Sequence, residues 1–132
     1  MKKTKIFAAY LPQYHETEDN NKFWGKGFTD WVGVKKAEPQ FEGHQQPRIP
    51  LNNNYYDLSN KASITWQADL AKKYGIDGFN IYHYWFKNGK QELERPAELL
   101  LSNPQIDIQY FFSWDNCSWK RTWSNLPGND WG

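Results

Sequence analysis

Three short clusters in the sequence combine aromatic rings with hydrogen-bonding side chains. They are residues 10–15 (YLPQYH), 82–85 (YHYW) and 114–121 (WDNCSWKR). Sugars present apolar C–H patches that stack on rings, and hydroxyl groups that donate and accept hydrogen bonds. The clusters therefore favour a saccharide ligand. For any single ring, an alternative has equal weight, namely that the ring packs inside the hydrophobic core or covers the edge of that core.

Each cluster lies at the end of a predicted buried strand. The apolar runs 6–11, 78–86 and 108–114 predict these strands. A helix is predicted from an N-cap at Ser59 to Tyr74, with Gly75 as its stop, and a second one over residues 93–102. The order implies an α/β fold with parallel strands, whose carboxyl ends meet at one edge. We expect the three clusters to converge there.

A long segment, residues 12–60, separates the first strand from the first helix. It holds many glycines, prolines and aromatic residues, and the aromatic residues argue against disorder. A short helix is predicted near residues 29–36, and a turn at 87–90. We expect the long segment to pack over the carboxyl ends of the strands and to form one wall of the site.

Carboxylates suited to glycan cleavage are scarce at the strand ends, where such chemistry normally needs a pair. Asp115 is the only strand-end candidate for a catalytic residue. Glu16, Glu18, Asp19 and Asp30 fall in the long segment. Glu92, Glu94 and Glu98 surround the second helix, where a solvated face is the expected role.

Two other kinds of site are weaker interpretations. A metal site is one interpretation of His15, His83 and Asp115, which lie near predicted strand ends. No close-spaced ligand motif supports it, so we predict hydrogen-bonding histidines and neither metal nor cofactor. Cys117 near His83 could act as a nucleophile, yet most lone cysteines are inert. One cysteine allows no internal disulfide, which fits a reducing cytoplasm.

Composition excludes several partners. The net charge is +1 and both signs are mixed along the chain, so we predict neither a nucleic acid nor an acidic lipid surface as a partner. No run approaches the roughly 18 apolar residues of a membrane span. We predict a glycan partner and leave the oligomeric state open. The residues expected to contact it are Tyr10, Gln13, His15, Trp24, Trp31, His44, Gln46, His83, Tyr84, Trp85, Trp114, Asn116, Trp119 and Arg121.

Seven motifs resemble the WbsX-like glycosyltransferase family, in order, over residues 6–123. They are AAYLPQYH, FWGKGFTDW, FEGHQQPRIP, YYDL, QADLAKKYGIDGFNIYHYWF, LERP and SWDNCSWKRTW. The resemblance implies a role in lipopolysaccharide O-antigen or rhamnan-type polysaccharide biosynthesis, by transfer or hydrolysis of a sugar. It also implies similarity to the endo-α-mannosidase glycoside hydrolases, which are (β/α)₈ barrels.

The chain departs from the family where a W-A-N-E-N-W pattern is frequent. Here residues 114–119 read WDNCSW, so Asp115 replaces the alanine and Cys117 the glutamate. The resemblance implies that the essential carboxylates belong to later strands. A barrel needs about 250 residues, so residues 1–132 are predicted to be the N-terminal part of a longer domain, its first three β/α units. The alternatives are a noncatalytic carbohydrate-binding module and an inactive truncated remnant.

We expect residues 1–132 alone to show neither glycosyl transfer nor glycosidase activity, because no carboxylate pair is placed to act at an anomeric carbon. The assay would offer mannose- and rhamnose-containing glycans to this chain and to a longer form of the same gene product. Turnover by the short chain that Asp115→Asn abolishes would contradict the prediction.

Overall fold

A computed structural model describes residues 4–114 of the chain, and its centre is a parallel sheet. The middle strand pairs in parallel with both of its neighbours, from Phe7↔Gly78 on one side and from Gly78↔Gln109 on the other. This confirms the predicted α/β class with a parallel sheet. In chain order the elements are β1 (Phe7–Tyr10), α1 (Glu18–Trp24), α2 (Asp30–Lys36), α3 (Lys61–Lys73), β2 (Gly78–Trp85), β3 (Gln91–Glu92), α4 (Arg95–Ser102) and β4 (Gln109–Trp114).

The core lies between α3, α4 and one face of the sheet, which we call the helix face. Successive side chains of a strand point to opposite faces, and on β2 it is Phe79 and Ile81 that point into this core. Ile64 and Ala68 of α3 meet them there. None of the helices described is long and apolar enough to cross a lipid bilayer.

The first long helix begins one residue later than the sequence indicated. Asn60 rather than Ser59 is the N-cap of α3, and its side chain accepts a hydrogen bond of 2.9 Å from the Ala62 amide. Ser59 instead belongs to the preceding turn, where its amide donates to the Asp57 carboxylate. Gly75 ends the helix as predicted, in a left-handed conformation with φ of 82° that glycine adopts without steric cost.

The long segment is ordered around two short helices and an aromatic cluster. The predicted helix at residues 29–36 is α2, whereas α1 was not foreseen. Thr17 is the N-cap of α1, and its side chain accepts a hydrogen bond from the backbone amide of Asn20. Trp31 of α2 donates its ring N–H to the Tyr56 carbonyl at 2.8 Å, and its ring packs on Tyr14 at 4.4 Å. These contacts join the beginning, the middle and the end of the long segment to one another.

The chain after β2 folds back on itself. The predicted turn is a 3₁₀ helix, Lys87–Gly89, and it leads into β3. This two-residue strand pairs antiparallel with the end of β2 through Tyr84↔Glu92 and Trp85↔Gln91. The sequence indicated the turn but not the hairpin, and the hairpin extends the carboxyl end of the sheet.

The last helix is shorter at its start than the predicted range of 93–102. Leu93 adopts a left-handed backbone conformation, with φ of 59°, so it lies outside α4. Its side chain is buried, which offsets the roughly 1–2 kcal/mol that this conformation costs. Pro96 stands in the first turn of α4, the position that tolerates a missing amide hydrogen.

Gly78 lets three strands approach closely at the start of β2. A Cβ atom there would lie 2.4 Å from the Gln109 carbonyl oxygen and 2.5 Å from the Phe7 ring. The Phe7 ring in turn packs edge-on against Phe111, with 5.1 Å between the ring centroids. The backbone carbonyl is fixed by the sheet, so it cannot move aside for a methyl group.

We therefore expect Gly78→Ala to destabilise the chain by about 1–3 kcal/mol, the usual cost of overpacking. Chemical denaturation followed by circular dichroism would measure it. Gly33→Ala is the matched control, because a Cβ at Gly33 in α2 meets nothing within 4 Å and alanine favours a helix. Equal stability of the two variants would contradict this packing constraint.

Candidate functional site

The carboxyl edge of the sheet presents two chemically different faces. His83 and Trp85 lie on the helix face, beyond the part that the helices cover. Asn80, Tyr82 and Tyr84 alternate with them and point to the opposite side, which we call the open face. The three clusters that the sequence singled out are thus divided between two surfaces, and only part of each cluster can contact one ligand.

His83, Trp85 and Trp114 form an aromatic platform on the helix face. His83 is directly opposite Trp114 in the register of β2 and β4, so their side chains share a face. The centroids of the His83 and Trp85 rings are 5.7 Å apart. Trp85 is 47% and Trp114 59% exposed. Two accessible indoles beside an imidazole match the apolar faces and hydroxyl groups of a saccharide.

The open face carries a row of hydrogen-bonding groups instead. The Ser113 hydroxyl donates to the Asn80 side-chain oxygen at 2.5 Å, and the Tyr82 and Tyr84 rings lie 4.9 Å apart. Gln13 donates its amide N–H to the Tyr84 hydroxyl at 2.5 Å. Asn80 and Ser113 were not among the predicted site residues, and Tyr82 was predicted only as part of the cluster at residues 82–85. The alternation of polar and apolar residues within residues 79–84 is a signal that could have identified Asn80.

Three of the proposed ligand-binding aromatic residues are occupied in packing. The Tyr10 hydroxyl donates to Gln67 on α3 at 2.6 Å, and burial raises the pKa of this tyrosine far above its ordinary value. Trp31 belongs to the aromatic cluster of the long segment, and Trp24 at the end of α1 stacks on Phe28. The structure does not bring these three rings into the platform.

His15, near the start of the long segment, is buried, with 3% of its surface exposed. Its Nδ1 atom has no hydrogen-bond partner among the residues that the structure describes. Burial holds the pKa of His15 below its ordinary value, although the charges of Asp57 and Glu94 oppose this. The side chain is therefore a neutral imidazole, away from the exposed platform.

Two carboxylates that are far apart in the sequence both contact the same ammonium group. Lys90, in the turn after β2, contacts Asp19 of α1 and forms an ion pair of 3.3 Å with Glu92 of β3. Glu92 is only 13% exposed, so the expectation of a solvated face was wrong for this residue. Burial raises the pKa of Glu92. For Asp19 the opposing effects of burial and of hydrogen bonds with Lys90 and Glu92 leave the pKa below its ordinary value.

These contacts also locate the first part of the long segment. Asp19 reaches the hairpin that extends β2, and Gln13 reaches Tyr84 near the end of that strand. This confirms that residues 13–19 lie on the carboxyl side of the sheet, as expected. Whether they line a ligand site remains a prediction.

Asp30 is a second acidic residue that folding brings toward the carboxyl edge. It begins α2, and its charge acts on both Tyr14 and Tyr84. Burial raises the pKa of Asp30 above its ordinary value. A half-buried carboxyl group that stays protonated up to a higher pH than usual is suited to donate a hydrogen bond or a proton. Nothing in the sequence distinguishes Asp30 from the other acidic residues of the long segment.

His44 and Gln46 contribute to a different surface. They line a cavity of about 650 Å³ whose walls all come from residues 34–55, none of them in a strand. We call it the loop pocket.

Five further residues of the predicted site lie outside the described residues, namely Asp115, Asn116, Cys117, Trp119 and Arg121. Within residues 4–114, no three His, Cys, Asp or Glu side chains are grouped so that they could hold a metal ion.

Comparison with known proteins agrees with the resemblance seen in the motifs. The family model described as "Glycosyltransferase WbsX" matches residues 6–129. The uncharacterized protein WxcX of Xanthomonas campestris pv. campestris strain B100 is 43% identical over 118 residues, which are 89% of this chain and 17% of that protein. WxcX of strain ATCC 33913 matches equally. The chain thus spans about a sixth of the length of these curated relatives. No solved structure matches it.

We expect Asp30→Asn to stabilise the chain near neutral pH. A carboxyl group whose pKa is raised by folding contributes stability at pH below its ordinary pKa, and this contribution is lost as the pH rises through the folded-state value. The amide removes the cost of the buried charge. Thermal unfolding at about pH 7 and about pH 3 would measure a gain confined to the higher pH. Asp69→Asn, on the exposed side of α3, is the control. An equal gain at both pH values would contradict this explanation.

Proposed function

We propose, because this chain belongs to the glycosyltransferase WbsX family, that it forms the glycan-contacting part of an enzyme that assembles a polysaccharide. A carbohydrate-related role follows from the family. The finer assignment, to lipopolysaccharide O-antigen or rhamnan-type polysaccharide biosynthesis, is the proposal. The family name favours transfer of a sugar as the reaction. Hydrolysis of a sugar is the alternative reaction, which the resemblance to glycoside hydrolases suggests.

The aromatic platform is the single observation that carries this proposal. Exposed indoles cost free energy in water, and an isolated one needs no explanation. Trp85 and Trp114 are placed by neighbouring strands at the carboxyl edge, with His83 between them in the register. Parallel α/β folds place their ligand sites at this edge. A pyranose ring can stack on either indole while the imidazole contacts its hydroxyl groups.

We further propose that the described residues are the first three β/α units of a (β/α)₈ barrel. Within residues 4–114, β1 and β4 each pair on one side only, which leaves their outer edges for further strands. In that arrangement the open face would line the interior, and Asn80, Tyr82 and Ser113 would point into it. These amide and hydroxyl groups would then be available to a part of the glycan other than the part that stacks on the platform, because the two faces are opposite sides of the sheet.

Displacement at an anomeric carbon also needs acidic groups. Asp30 is a described carboxyl group near this edge that forms no ion pair with a lysine or arginine among residues 4–114, and Asp115 stays a candidate by position in the sequence. Asp19 and Glu92 are already paired with Lys90, which favours a structural role for them. That pairing is the observation that supports a noncatalytic carbohydrate-binding module as the second candidate. A cytoplasmic location stays a prediction.

The test measures glycan binding by single alanine variants of Trp85, Trp114 and Trp119. Loss of an indole that stacks on the ligand should cost about 1 kcal/mol, or a fivefold weaker affinity. Calorimetric titration of the whole chain with mannose- and rhamnose-containing oligosaccharides would measure this. Trp66→Ala is the matched control, because Trp66 is a similarly exposed indole (43%) on α3.

Unchanged affinity in both Trp85→Ala and Trp114→Ala, or an equal loss in Trp66→Ala, would overturn the platform as a glycan site. A loss in Trp119→Ala alone would place the glycan contact outside the platform. Binding without turnover in a longer form of the protein would favour the module over the enzyme. Release of a free sugar, rather than its appearance on an acceptor, would identify the reaction as hydrolysis.

A further inference from the structure

The loop pocket collects positive charge without any carboxylate to balance it. Lys35 and Arg48 both line this cavity, and its other polar lining comes from His44, Gln45 and Gln46. No Asp or Glu belongs to the wall. Within residues 4–114, neither Lys35 nor Arg48 forms an ion pair, although four other ion pairs are present there.

The position of Lys35 is set by an aromatic ring rather than by a counter-ion. Its ammonium lies 4.3 Å from the centre of the Tyr55 ring, which also lines the pocket. This cation–π contact holds the charge at the wall. Lys35 also lines a smaller neighbouring cavity together with Glu16 and Asp57. Among residues 4–114, neither of these carboxylates forms an ion pair with it.

His44 adds a donor of defined chemistry. Its Nδ1 atom accepts a hydrogen bond of 3.0 Å from the Gln40 amide, so Nδ1 carries no proton. In the neutral imidazole the proton is then on Nε2, which is a donor. The ring stacks on Phe41 at 4.5 Å, which fixes its plane. The pocket therefore offers an ammonium, a guanidinium, an imidazole N–H and side-chain amides.

We propose that the loop pocket binds an anionic group of a saccharide, either a phosphate or a carboxylate, through Lys35 and Arg48. Guanidinium and ammonium groups together with amide donors are the groups that recognise such oxygens. The inference rests on the proposed function only for the saccharide that carries the anion. The anion site itself follows from the unbalanced charge, and it assigns His44 and Gln46 to a subsite separate from the aromatic platform.

The test titrates the whole chain with inorganic pyrophosphate, with glucuronate and with neutral glucose at low ionic strength. We expect one or both anions to bind, and added salt to weaken their binding. Binding of pyrophosphate alone would identify a phosphorylated sugar as the source, and binding of glucuronate alone an acidic sugar. Lys35→Gln and Arg48→Gln should each weaken the affinity about fivefold, as expected for one exposed charge pair.

Lys36→Gln is the matched control, because Lys36 is the exposed neighbour of Lys35 on α2 and does not line the pocket. Arg48→Lys keeps the charge and should retain most of the affinity. Absence of binding by both anions, or equal weakening by Lys36→Gln, would overturn the proposal. Neutral oligosaccharide binding at the platform should not change in these variants, so a failure here is separable from a failure of the proposed function.

Discussion

Parallel hydrogen bonding of β2 to a neighbour on each side determines where the other parts of this chain lie. The register that joins Gly78 to both Phe7 and Gln109 aligns the carboxyl ends of three strands at one edge. It also decides which side chains share a face, because the faces alternate along each strand. The close approach at Gly78 tolerates no side chain. The platform, the open face and the helices that cover the core all depend on this one pairing.

The sequence predicted the elements that owe their structure to local patterns. The three strands are short apolar runs, and α3 is a long helix with an Asn cap and a glycine stop, so periodicity and turn residues were sufficient. The predicted N-cap is one residue early because Ser59 and Asn60 are both good caps. Only the folded backbone shows that the Asn60 side chain accepts from the Ala62 amide, whereas the Ser59 amide donates to Asp57. By contrast, α1 and β3 are too short to be stable alone. Helix α1 is held by the contact between Lys90 and Asp19, and a contact between residues so far apart leaves no local signal. Strand β3 forms only two residue pairs with β2, which is too short for a periodic pattern.

The candidate site was predictable in position but not in arrangement. Clusters of rings and polar groups identified the carboxyl edge, whereas the division into two faces required the register. His83 and Tyr84 are adjacent in the chain yet point to opposite sides, and Tyr10 and Trp31 are used in packing. Asp30 and His15 differ from other residues of their type only through burial. Buried ionisable groups reduce stability, and they are characteristic of functional sites more often than of packing alone.

The same register has a consequence for the order in which the molecule assembles. Strand β2 pairs with β1, which lies about 70 residues earlier in the chain, and with β4, which lies only about 30 residues later. Closing the loop between β1 and β2 therefore costs about 0.7 kcal/mol more in chain entropy than closing the loop between β2 and β4. The unit formed by β2, α4 and β4 contains the shorter connection, and it can collapse as a nucleus while β1 is still free. The long aromatic segment is anchored through β1 and Gln13. We therefore expect this segment to become ordered after the unit of β2, α4 and β4 has formed, because its anchors are complete only once β1 has paired.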